Sequence, residues 1–94
     1  VSKTLSYANL TAYAEQAIRH YMAEVATHRA AGEVEREARA QAAAYAVHAM
    51  WESLVVQHLE PHGRKSFMAD FARLDALVFP DRAASPPLIL NGAC

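Results

Sequence analysis

Apolar residues recur along the first third of the chain at Leu10, Ala14, Ala17, Ile18, Tyr21 and Val25. That is the spacing of one stripe on an α-helix. Thr11, Glu15 and Arg19 fall opposite the stripe, with Glu15 and Arg19 at i, i+4 in the order that favours an ion pair. The pattern predicts a first helix from about Leu5 to Ala30. Gly32 follows, and after it comes the charged run Glu33, Val34, Glu35, Arg36, Glu37, whose acids suit the electropositive first turn of a new helix. A helix-to-helix turn is expected there. The alternative is one helix running unbroken through Gly32, at a cost of about 1 kcal/mol for the lone glycine.

The second helix should run to about Glu60, just before Pro61. Its apolar residues fall on two sides. One stripe is Val34, Ala38, Ala42, Tyr45, Ala49, Val56 and Leu59; the other is Val47, Met50, Trp51 and Leu54. A helix apolar nearly all round needs neighbours nearly all round, and two more helices of one chain do not supply them. This predicts cover from a second copy, with Val47, Met50, Trp51 and Leu54 as the interface. Trp51, with no evident cover inside the chain, leads that set.

A third helix, from Gly63 or Arg64 to Val78, carries Phe67, Phe71, Leu74 and Val78 at helical spacing, with Met68 and Leu77 beside them and Pro80 as its end. Residues 1–80 then form a single helical domain. Residues 81–94 form a tail with Pro86 and Pro87 followed by Leu88, Ile89 and Leu90, either frayed or docked in a groove. The fold class expected is all-α: a three-helix protomer with a long antiparallel helical hairpin, which forms a larger bundle by homodimerisation.

Composition supports this reading and removes several function classes. Alanine, the strongest helix former, makes up more than a fifth of the chain, and with 53% apolar and 20% charged residues the composition is that of a packed globular domain. The net charge is −1, and Arg64 and Lys65 are the only tight basic pair, which argues against a nucleic-acid partner. No apolar run reaches the roughly 20 residues that span a bilayer, and no signal-peptide pattern opens the sequence, so no membrane partner and a cytoplasmic location are expected. Cys94 is the sole cysteine, which leaves neither an intrachain disulfide nor a thiolate zinc site.

Histidine is the one excess with chemical meaning, at five residues. His20, Glu24 and His28 are successive i, i+4 neighbours on the first helix, and His48 and Glu52 repeat the step on the second. Side chains so spaced share a face, as Glu and His ligands do in metal-binding bundles, and the set His20, Glu24, His28, His48 and Glu52 is the candidate site for a divalent transition metal. In an antiparallel hairpin about Gly32, only His20 and His48 come near each other, about 6 Å apart along the axis at roughly 1.5 Å per residue. No Glu-x-x-His pair of the di-iron bundles is present. His58 and His62 flank Pro61, where histidines cap helix carbonyls.

Ser53 and Ser66 lack a glycine elbow and there is no phosphate-cradling glycine loop, so no catalytic residue and no cofactor are expected. Glu35 with Arg39 and Glu33 with Arg36 read as a charge-paired, solvated face. Tyr7, Tyr13, Tyr21 and Tyr45, with Trp51, suit an interface rim or a pocket wall. The function expected is a non-enzymatic protein–protein interaction or regulatory module, partnered by itself as a homo-oligomer and by another protein. The alternatives are a small-molecule or transition-metal-binding bundle and a small helical enzyme without a recognisable motif.

Overall fold

The computed structural model describes residues 6–58 and 64–81, and these form an all-α bundle of three helices: α1 (Tyr7–Ala30), α2 (Val34–His58) and α3 (Arg64–Val78). The expected helix end at Glu60, the cap at His62 and the Leu88 to Leu90 tail lie outside the described residues. Ser6 starts α1. Its backbone is extended, and its Oγ accepts the Asn9 N–H at 3.1 Å, satisfying one of the free donors of the first turn.

Gly32 ends α1 by a turn, which removes the unbroken-helix alternative. Its φ of +74° lies in the left-handed region that glycine adopts without a Cβ penalty. Glu33 N–H reaches back to the His28 carbonyl at 2.9 Å and Gly32 N–H to that of Arg29 at 3.1 Å, the paired bonds of a Schellman ending. Side chains reinforce the turn: His28 Nδ1 donates to Glu33 Oε1 at 2.7 Å, and Arg29 Nε to Glu37 Oε2 at 2.8 Å. The His28 bond, with the nearby Arg36 charge, holds the Glu33 carboxyl below its ordinary pKa.

The first helix buries Ala14, Ile18 and Val25 of the expected stripe, and Thr11 as well. Thr11 was expected on the polar side. It is inside because its Oγ1 accepts the Trp51 Nε1–H at 2.9 Å, a bond that a buried indole needs. The inward stripe of α2 is Ala40, Ala44, His48, Trp51 and Val55, matching neither expected stripe. Val34, Ala38, Ala42, Tyr45 and Val56 of the first expected stripe are exposed. Ala40 and Ala44 are buried on this face, while the larger Val34, Tyr45 and Val56 are turned outward.

Trp51 is likewise not without cover inside the chain. It is 1% exposed, its ring lies nearly parallel to Phe67 at 5.5 Å and 14°, and Tyr7 and His48 complete the surround. Phe67 and Tyr7 reach it from α3 and from the start of α1, positions far from it in sequence.

The third helix also buries Leu74 and Val78, and Gln41 Nε2 donates to the Val78 carbonyl at 2.5 Å, satisfying an end group of α3. A polar latch ties α3 to α1. Tyr7 O–H donates to Asp70 Oδ2 at 2.5 Å, Arg73 donates to Asp70 Oδ1 at 3.0 Å and to Glu15, and Arg19 donates to the same Glu15 at 2.8 Å. Burial, then the hydrogen bond to Asp70 and the charge of that carboxylate, push the Tyr7 phenol up to about 12. The guanidinium groups of Arg19 and Arg73 hold Glu15 below its ordinary pKa. After Phe79 the backbone is helical again at Pro80 and Asp81.

Candidate functional site

Because α3 packs on His48 and Trp51 of α2 through Phe71 and Phe67, the face of α1 and α2 carrying Ala43, Val47, Met50 and Leu54 is left without it. An apolar groove of about 390 Å³ runs along that face, and every residue lining it comes from α1 or α2. Leu10, Tyr13 and Tyr21 form one wall; Val47, Met50 and Leu54 form the other. Met50 is 64% and Tyr13 63% exposed, so large apolar side chains stand in water along it. All of the residues expected at an interface, Val47, Met50, Trp51 and Leu54, line this one groove.

The groove changes character towards the Gly32 turn. Tyr21 and Ala43 are shared with a second depression, of about 290 Å³, lined also by Glu24, His28, Arg36 and Arg39. Arg36 stands 3.5 Å from Glu33, as its spacing suggested, and Glu24 lies 3.2 Å from His20. The expected Glu35 to Arg39 pairing is not formed: among the described residues Arg39 has no carboxylate at ion-pair distance.

The candidate metal ligands are distributed over separate places. His20 is on the surface with Glu24, its ring edge-on to Tyr21 at 5.2 Å. His28 is engaged by Glu33 in the turn. His48 is buried under α3, where its Nε2 is 3.6 Å from Asp75 Oδ1 and its ring packs on Phe71 at 4.8 Å. Glu52 lines the same cleft, of about 240 Å³. Thus His48 is brought together with Glu52 and Asp75, and Glu24 with His28, while His20 and His48 do not meet. Among the described residues no three His, Cys, Asp or Glu side chains gather so as to hold a metal ion.

Of the tyrosines expected at a pocket wall, Tyr13 and Tyr21 line the groove and Tyr45 lines the cleft beside His48 and Glu52, packing near Phe79 at 5.8 Å, whereas Tyr7 serves the α1 to α3 latch. Leu10 was not singled out as a site residue although the first apolar stripe carries it, and Arg39 was read as the ion-pair partner of Glu35. No helix among the described residues is long and apolar enough to cross a membrane. Comparison with known protein families, with curated proteins and with solved structures finds no match to this chain.

Proposed function

We propose that α1 and α2 run antiparallel as one long helical hairpin and that two copies of the chain join through its apolar groove, making a non-enzymatic interaction module that works as a homodimer. The observation that carries this reading is the groove itself, a continuous apolar strip between Leu10 and Tyr21 on one helix and Ala43 and Leu54 on the other. The pairing of Thr11 with Trp51, and of Arg29 with Glu37, supports the antiparallel course. Exposed apolar area of this kind is costly in water and is the usual mark of a surface that meets another apolar surface. A second copy offers such a surface of the same length, and closed twofold pairing is the commonest form of self-association.

Sedimentation at micromolar concentration tests the proposal. The expected result is a dimer, and Met50→Glu, which sets a charge in the groove but not in the core, is expected to give a folded monomer. A wild-type chain that stays monomeric, with a melting temperature indifferent to concentration, overturns the reading. The groove volume of about 390 Å³ favours a second reading, an apolar small-molecule site, since such sites span roughly 300–1,000 Å³. A monomer stabilised by a long-chain apolar probe, and not stabilised after Met50→Glu, would select it.

A further inference from the structure

The groove is polarised, and a twofold dimer must do something with that polarity. Leu10 and Leu54 each stand 22 residues from Gly32, so the apolar mouth lies far from the turn. Glu24 stands 8 residues before Gly32 and Arg39 7 after it, which puts the two level with each other within about 1.5 Å at the charged end.

We propose that the two copies pair with their Gly32 turns at the same end, about an axis parallel to the helices, so that Glu24 of each chain faces the partner subunit's Arg39. This rests on the self-association proposed above. Two stacked layers of two antiparallel helices can be exchanged by a twofold axis in two ways, since an axis perpendicular to the layers leaves each at its own height. An axis lying between them and crossing the helices sets the turn of one copy over the open end of the other. Glu24, Arg36 and Arg39 would then be pressed against Leu10, Tyr13, Met50 and Leu54, losing water without gaining a counter-charge.

The axis along the helices does the opposite. It lays α1 of one copy over α2 of the other with equal levels facing, so apolar residues meet apolar residues. At the charged end the acid is on α1 and the unpaired base is on α2, and the rotation brings them together twice. Arg19, Arg29, Arg36 and Arg73 each have a carboxylate within the chain, whereas Arg39 among the described residues has none. Glu24 has the exposed His20 as its one ion-pair partner among the described residues. The partner supplies what each lacks, and this charge complementarity fixes the direction of pairing more than it adds affinity.

Crosslinking and charge reversal test the arrangement. In a Cys94→Ser background, Ala31→Cys places a single thiol at the turn. With turns together, a short alkyl bismaleimide is expected to yield a covalent dimer. With turns apart, the thiols are separated by about the 24-residue length of α1, roughly 36 Å, and no crosslink forms. Glu24→Arg and Arg39→Glu alone are each expected to raise the dimer dissociation constant about tenfold, and the two together in one chain to restore it within about twofold. Circular dichroism confirms that each variant is folded, and the crosslink decides if one is not. A dimer that does not crosslink at Ala31→Cys, or a double variant no tighter than its weaker parent, overturns the arrangement and leaves self-association standing. A wild-type monomer overturns both.

Discussion

Truncation of Trp51 separates the core from the groove, because the same ring belongs to both. It is 1% exposed, stacked on Phe67 at 5.5 Å and bonded through Nε1 to Thr11 at 2.9 Å. Replacing it by alanine removes the largest core side chain and leaves a cavity between all of the helices, a change that costs about 3–5 kcal/mol. For a chain of this size each kcal/mol lowers the melting temperature by about 4–8 °C, so a fall on the order of 20 °C is expected. Part of this cost can be isolated: Thr11→Val strands the indole N–H in the core and is expected to cost about 1–3 kcal/mol by itself. Urea unfolding followed by far-ultraviolet circular dichroism is the appropriate assay, since the substitution removes the only tryptophan. Both changes are best made in the Met50→Glu background, so that no self-association contributes. A loss below about 1 kcal/mol for Trp51→Ala would show that the ring is not part of a monomer core, and its burial by Tyr7 and Phe67 would have to be abandoned.

Other perturbations probe separate features. The Tyr7 phenol, pushed up to about 12 in the folded chain against about 10 when unfolded, gives up its proton first in the unfolded state. Its contribution to stability is therefore complete below about pH 10 and is lost as the pH rises towards about 12, and Tyr7→Phe should flatten that decline in melting temperature. Gly32→Ala meets nothing within 4 Å, so only the left-handed backbone resists it; a loss of about 1–2 kcal/mol in chemical denaturation is expected, and a neutral effect would contradict the positive φ. His48 has a buried Nδ1 without a hydrogen-bond partner, so His48→Leu should be neutral or stabilising by up to about 1 kcal/mol in the same assay. A loss above about 2 kcal/mol there would mean that the imidazole makes a bond that outweighs its desolvation.

The three helices and the Gly32 turn were legible in the sequence because their determinants are local: alanine-rich helical segments, a glycine where a left-handed residue is needed, and acids just after it. The inward face of α2 was not. It passes through Ala40, Ala44 and His48, residues that weigh little on any apolar scale, while Val34, Tyr45 and Val56 weigh more and lie outside. Alanine fits either side of a helix, so in such a chain the large residues mislead. Thr11 was misplaced for a related reason, since its burial answers a donor on Trp51, 40 positions away. The groove residues Val47, Met50 and Leu54 were legible as a stripe that the chain leaves open. Its charged end was not, because Arg39 stands one turn beyond Glu35 and only coordinates reveal that the two do not pair.

The Gly32 turn also bears on the loops that the chain closes as it folds. Its backbone hydrogen bonds link residues at most five apart, between His28 and Glu33, whereas α3 is held by contacts reaching back 63 residues, from Asp70 to Tyr7, and 58, from Arg73 to Glu15. Short loops close at less entropic cost than long ones, and the Gly32 turn joins α1 to α2 over a short loop, while the latch between α1 and α3 closes one of more than fifty residues. The groove needs only the first pair. The strip lined by Leu10, Tyr13, Val47, Met50 and Leu54 therefore draws all of its residues from the two helices that this turn joins.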